Sequence, residues 1–306
     1  MDPNLAIETC QLRKVYGEKV AVSGLDLQVE PGEVFGFLGP NGAGKTTSLK
    51  MLLGLASPTA GGAWLLGKPV GDVPTRAKVG FLPEHFRFQD WLTADELLHL
   101  HGSLCGMQAQ RLRQSIPAVL EKVDLGAYAN SQLKTFSKGM LQRIGLAQAI
   151  LNEPQVVFLD EPTSGLDPLG RRLVRDLIAE LRKQGTTVFL NSHLLSEVEI
   201  TCDRVAFLKH GRVLQTHRLA ELVEGELLVH IRAGRLDDDT LSRLQGFGRD
   251  IRMQGEQITL TVASEALLPE LVRCLVNGGA DLYAITPERI SLEELFIRIV
   301  GTDGGL

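Results

Sequence analysis

At 306 residues the chain exceeds one average domain, so a large domain with a smaller companion is expected, with ample length for a core. Lys and Arg total 32 against 37 Asp and Glu, and the net charge of −5 with no basic block argues against a general nucleic-acid binder. Cys10, Cys105, Cys202 and Cys274 are far apart and form no C-x-x-C, so neither a zinc site nor a disulfide framework is suggested, and a reduced compartment fits best.

No apolar run reaches the roughly 18 residues of a spanning helix, and Met1–Cys10 lacks the basic start and apolar middle of a signal peptide. Membrane work is therefore expected to need a partner chain. Leu5–Lys14 and Val20–Val29 alternate apolar and polar residues and read as an antiparallel pair with Tyr16 and Gly17 at the turn. A Tyr16 ring can stack on a purine, although a lone tyrosine between strands is more often a packing residue.

Pro31-Gly32 turns the chain into Val34–Leu38 (VFGFL), a buried strand, and GPNGAGKTT follows from Gly39 to Thr47. Strand, G-x-x-x-x-G-K-T and helix in that order meet the structural condition of a phosphate loop. Gly39, Gly42 and Gly44 let the loop turn tightly and present N–H groups to phosphate, Pro40, Asn41 and Ala43 complete the loop with no obstructing side chain, and the helix start adds its positive dipole end. Lys45 would reach the β- and γ-phosphates, and the Thr46 hydroxyl, followed by Thr47, would take one Mg²⁺ position.

Ser57–Gly62 (SPTAGG) reads as a second turn, and an apolar strand at Val79–Leu82 ends in Pro83-Glu84. From His85 to about Thr135 the spacing turns helical, as in an inserted subdomain. Thr93-x-x-Glu96 is a capping box, and Leu97, Leu98, His101 and Leu104 continue one face. His99 and His101, two apart, point to different faces and make a poor metal pair. Phe86, Phe88 and Trp91 form an aromatic group that serves either as subdomain core or as a docking groove.

Ser137-Lys138-Gly139-Met140 precedes a buried helix, Leu141–Leu151; on pattern alone Ser137 is a plain N-cap, with an anion site as the alternative. Val156–Leu159 delivers Asp160 and Glu161 at a strand end, where this fold class handles Mg²⁺ and water. Asp160 is the metal-ligand candidate and Glu161 the better proton acceptor. Ser164–Pro168 turns into a helix to Lys183, and the strand Thr186–Asn191 delivers Ser192-His193, where His193 can donate to a γ-phosphate oxygen. Leu194–Cys202 is a helix, and Arg204–Lys209 with Arg212–Thr216 a hairpin.

In order and spacing these residues resemble the nucleotide-binding subunit of an ABC transporter, over about two thirds of the chain. Tyr16 resembles the adenine-stacking aromatic, Gly39–Thr47 the Walker A loop and Glu84 the Q-loop position. Phe136–Met140 resembles the signature, Asp160-Glu161 the Walker B end, Ser164–Asp167 the D-loop and His193 the switch histidine. Glu84 stands for the usual Gln, placing an anion toward Mg²⁺ and water, and FSKGM stands for LSGGQ, keeping Ser137 and Gly139.

The resemblance implies an α/β P-loop ABC ATPase domain, residues 1–220, with an antiparallel β subdomain and a helical subdomain at about 85–135. A small C-terminal α/β accessory domain follows at 225–306, read from alternation at Leu227–Ile231 and Gln257–Val262 and helical spacing at Leu267–Val276 and Ser291–Val300. It implies ATP and Mg²⁺, with Glu161, His193 and Glu84 catalytic and Thr46, Asp160 and Glu84 at the metal. Ser137 and Gly139 would cover the nucleotide of a second copy packed head to tail. The ending SLEELFIRIVG resembles export-type ATPases for drugs, polysaccharides, lipids or sodium. The expected partners are permease subunits and a second ATPase copy, with no nucleic acid, and the expected place is cytoplasmic, peripheral on the inner membrane face. The rival reading is an ATPase acting on ribosomes or nucleic acid, disfavoured by a single Walker A and no sustained heptads. A non-catalytic nucleotide-gated adaptor is disfavoured by Glu161.

Overall fold

The computed structural model describes residues 2–224, 227–236, 238–289 and 291–301. The chain forms two compact units, one running to His217 and rejoined from Ile299 on, the other Arg218–Arg298.

In the first unit β1 (Ile7–Tyr16) and β2 (Lys19–Val29) pair antiparallel, with Tyr16 opposite Lys19. Tyr16 thus ends a strand instead of occupying the turn, because Gly17, at φ +57, takes the left-handed turn position itself. β3 (Val34–Leu38) leads into α1 (Lys45–Leu52). β4 (Ala60–Leu65) and β5 (Lys68–Pro69) extend the hairpin into a sheet of order β2-β1-β4-β5. The expected turn at Ser57–Gly62 is therefore too long. β1 captures Ala60 and Gly62 as partners of Arg13 and Cys10, so pairing overrides turn-prone composition.

After α2 (Val73–Arg76) and β6 (Val79–Leu82) come α3 (Ala94–Leu104) and α4 (Ala109–Lys122). The Thr93 hydroxyl accepts from the Glu96 N–H at 3.2 Å and the Glu96 carboxylate accepts from the Thr93 N–H at 2.9 Å, completing the capping box. Leu97 and Leu98 are buried but Leu104 is exposed, so the apolar face of α3 ends a turn earlier than its spacing suggests. Phe86 and Phe88 pack with centroids 4.8 Å apart, while Trp91 stands exposed and apart from the groove they line.

The unit continues through α5 (Lys138–Ile150), β7 (Val156–Asp160), α6 (Pro168–Lys183) and β8 (Thr187–Asn191). It ends with α7 (Leu195–Thr201), β9 (Arg204–Lys209) and β10 (Arg212–Arg218). The second sheet has the order β10-β9-β3-β8-β7-β6, and its five strands from β9 to β6 run parallel. Every residue of β3, β7 and β8 is buried, as strands covered on both faces require. Phe189 packs on Phe35, Phe37 and Phe158 at 5.8, 5.2 and 5.3 Å, contacts worth roughly 0.5–1.5 kcal/mol each beyond area burial. These rings hold the strands in register, so that the polar ends of β7 and β8 emerge side by side, Asp160 opposite Asn191.

The second unit contains α8 (Leu219–Glu224), β11 (Leu227–Gly234), α9 (Asp238–Leu244) and β12 (Gly248–Gln254). β13 (Gln257–Val262), α10 (Leu268–Asn277), β14 (Asp281–Arg289) and α11 (Leu292–Val300) follow. From β11 to β14 the order is β-α-β-β-α-β on an antiparallel sheet, β12-β13-β11-β14, the ferredoxin-like arrangement. Alternation along β11 and β13 buries Val229, Ile231, Ile258 and Leu260 with Leu271 and Leu275 of α10.

Candidate nucleotide site

The turn between β3 and α1 is built by close backbone approach. Gly44 caps α1 at φ +105, and a Cβ there would stand 2.6 Å from the Ala21 carbonyl oxygen, so a side chain is excluded twice over. The loop opens on a cleft of about 590 Å³ lined by Gly39, Pro40, Asn41, Gly42, Gly44, Lys45, Thr46 and Thr47. Glu84, Glu161 and His193 share its wall, and Lys19, Ala21 and Asn191 join them.

Lys45 Nζ donates to the Gly39 carbonyl at 2.5 Å and the Pro40 carbonyl at 3.3 Å. Burial lowers its pKa, while Glu161, Asp160 and Glu84 pull it back up. An ammonium held by neutral carbonyls in a partly dry site gains strongly from an arriving phosphate.

Asn191 Nδ2 donates to Asp160 Oδ1 at 2.5 Å. Burial raises the pKa of Asp160 against the pull of that hydrogen bond and of Lys45. Glu161, next along, is a non-glycine residue at φ +51, a conformation costing about 1–3 kcal/mol. Its N–H donates to the Asn191 carbonyl at 2.8 Å, and its Oε1 accepts from the His193 N–H at 2.9 Å. His193 Nδ1 lies 2.7 Å from Oε2, an ion-pair distance without hydrogen-bond angles. Burial raises the Glu161 pKa and His193 lowers it. A buried carboxylate poised above its ordinary range beside a histidine suits proton acceptance.

Thr46 and Glu84 offer hard oxygen donors to the cleft, and Asp160 is buried behind its lining residue Asn191, to which it is hydrogen-bonded. Burial that opposes the Asp160 charge is what a divalent cation would relieve, so the set fits Mg²⁺. Among the described residues no group of three His, Cys, Asp or Glu is placed to hold a metal ion.

Five expected residues lie outside the cleft lining: Ala43 and Asp160, both buried, and Tyr16, Ser137 and Gly139. The Tyr16 ring is exposed, with Lys14 Nζ 4.8 Å from its centroid. Ser137 is occupied as the cap of α5, accepting from the Met140 N–H at 3.2 Å, and Gly139 lies beside Leu166. Sequence reasoning missed Asn191 and Gln142. Asn191 carried the signal used for Asp160, a polar residue closing an apolar strand; Gln142 is a lone polar side chain buried in an apolar helix.

The fold and cleft together define a class, the P-loop nucleoside triphosphatases built as ATP-binding cassettes. The family described as ABC transporter matches residues 22–164. An uncharacterized ABC transporter ATP-binding protein of Synechocystis sp. is 42% identical over 301 residues, 95% of this chain and 84% of that protein. The Nod factor export ATP-binding protein I of Rhizobium sp. (strain N33) is 35% identical over 304 residues, 98% of each chain. Among solved structures, an ATP-binding subunit of an ABC transporter aligns with TM-score 0.66 and 30% identity, covering 71% of this chain and 91% of its own. A dimeric ATP-binding cassette holding ADP and Pi aligns with TM-score 0.65 and 27% identity, covering 70% and 98%.

The chain therefore belongs to the ATP-binding proteins of ABC transporters. It is an ATPase and the subunit that powers a transporter, and the ribosome- or nucleic-acid-directed alternative is not favoured. Among the described residues no helix is long and apolar enough to cross a membrane.

Proposed function

We propose that the chain is one of two identical cassettes that drive export through a separate permease, from the cytoplasmic face of the membrane. The observation that carries this is the convergence of Lys45, Glu161 and His193 on one cleft. Lys45 leaves the Gly39 and Pro40 carbonyls for the β- and γ-phosphates, and the loop amides take the remaining phosphate oxygens. Mg²⁺, when bound by Thr46 and Asp160 with Glu84 beside it, supplies positive charge to those phosphates. Glu161 accepts the proton of the attacking water, and His193 orients Glu161 and donates to the γ-phosphate. Tyr16 stacks on the adenine, and Ser137 and Gly139 of the second copy close over the nucleotide with helix-start N–H donors. Residues 1–220 act as the cassette and 225–306 as its accessory domain.

Relatives named Nod factor export ATP-binding proteins support export as the direction; the cargo class, a drug, lipid, polysaccharide or ion, rests on the resemblance of the ending SLEELFIRIVG alone. The test is Glu161→Gln in the full-length chain. The expected result is a dimer retaining ATP, seen by light scattering after gel filtration, with turnover down about 10²–10⁴-fold. Wild-type turnover, or a monomer at saturating ATP, overturns the reading. Affinity purification from membranes is expected to bring down a permease.

A further inference from the structure

We infer that Gln142 is a positioning residue for Glu161, and that through it α5 acts as the lever that sets the general base; this rests on the reading of Glu161 as that base. Gln142 is 4% exposed, and its Nε2 donates to the carbonyls of Glu161 at 3.2 Å and Pro162 at 3.1 Å. Both protons of the amide are spent on the backbone that carries the base.

The Glu161 peptide is consequently pinned from two sides. Its N–H is held by the Asn191 carbonyl of β8 and its C=O by Gln142 of α5. At φ +51 Glu161 sits in a conformation that a glutamate leaves unless its surroundings over-determine it. Relaxation to an ordinary φ would swing the carboxylate away from His193, so the two pins preserve the side chain's aim.

The first turns of α5 also support the chain beyond Glu161. Leu166 Cδ2 lies 3.4 Å from where a Cβ on Gly139 would stand, and Lys138 crosses Gly165 so closely that a Cβ there would meet its Cε at 2.6 Å. One short length of helix thus touches Glu161, Pro162, Gly165 and Leu166, and it begins at the Ser137 cap. A tilt of α5 is transmitted to Glu161 through hydrogen bonds, without a loop to absorb it. The base would therefore be aligned only in one setting of α5.

The test uses the full-length chain in the complex with which it purifies. Gln142→Met keeps length and volume without a donor; Gln142→Glu keeps the shape, and only its protonated form can donate. For Gln142→Met the expected kcat falls roughly 10- to 100-fold, as misplacement of a reacting group by about 1 Å does. KM and affinity for a fluorescent ATP analogue are expected to stay within about twofold of wild type, and combination with Glu161→Gln to add no further loss. For Gln142→Glu the deficit is expected to be deeper at alkaline than at acidic pH. Should Gln142→Met keep kcat within about twofold of wild type, lower affinity and kcat in parallel, or multiply the loss of Glu161→Gln, the lever is wrong. If the Gln142→Met chain does not fold, Gln142→Glu decides the matter: its deficit must then vary with pH, and a flat deficit refutes the lever. Wild-type turnover by Glu161→Gln alone would instead refute Glu161 as the base.

Discussion

The two units bury polar atoms very differently. In the first, the Ser48 and Thr163 hydroxyls, one Glu161 carboxylate oxygen and the Asn191 carbonyl oxygen are buried without a hydrogen-bond partner, and all lie on or near the nucleotide elements. In the second, among the described residues, Thr240 is the buried polar side chain and no such orphan occurs. Backbone strain is spread more widely: Gln11, Leu66, Asp124, Glu153 and His210 also hold positive φ in the first unit outside the cleft lining, as Arg235 and Asp250 do in the second, but Glu161 differs from them in its setting. Glu161 holds its left-handed φ in a buried position under three hydrogen-bonded neighbours. Asp250 holds its own on the exposed edge strand β12, where the register shifts between Arg249 and Arg252. The lesson is that buried polar groups without partners collect around the cleft that is to receive a charged ligand, whereas the core of the second unit is almost wholly apolar.

That contrast predicts that the first unit breaks by function and the second by stability. The largest effect is expected from Lys45→Ala, which removes charge-assisted bonds worth about 1.5–3 kcal/mol each and should weaken binding of a fluorescent ATP analogue on the order of 100-fold. Leu260→Ala, in the core of the second unit, should cost about 2–5 kcal/mol in urea denaturation and leave nucleotide affinity unchanged. A loss of affinity there would erase the distinction. Within the first unit but away from the cleft, Thr93→Ala should cost about 1 kcal/mol by removing the cap of α3, again with normal binding.

The smallest effect concerns pH. Burial raises the folded-state pKa of Glu161 above the ordinary 4.5, so the native chain holds its proton more tightly than the unfolded chain. Stability from this group is therefore present below the ordinary value and lost as pH rises through the raised one. Nucleotide-free Glu161→Gln should melt above wild type at neutral pH, with the gap closing as pH falls toward 4.5. An equal or lower melting temperature at neutral pH would show that this carboxylate costs the fold nothing. The acid limb of wild-type turnover should likewise lie above 4.5.

Much of the first unit was legible because its strands are extreme cases: VFGFL, VVFLD and TVFLN are buried on every residue, and the glycines of Gly39–Thr47 have no rival explanation. In the second unit the inner strands and the helices α10 and α11 were legible, and the edge strands were not. β11 and β13 alternate because they lie inside the sheet with one face covered, while β12 (GRDIRMQ) and β14 (DLYAITPER) are the two edges, bulged or carrying Pro287, and have little buried side to write into sequence. α2 and α9, of 4 and 7 residues, are too short for periodicity to register.

The amino-acid order alone determined that a phosphate-loop pattern would join a strand to a helix at Gly39–Thr47 and that Asp160, Glu161 and His193 would stand at or just beyond the ends of two strands, because glycine placement and apolar runs are local properties. Only the tertiary structure decided that Asn191 would lie beside Asp160, that Gln142 would hold the backbone of Glu161, and that Tyr16 would stand outside the cleft lining. Those relations depend on the register of parallel strands and on which turn of a distant helix packs beneath a loop, and contacts between residues far apart in the chain leave no periodic trace in it.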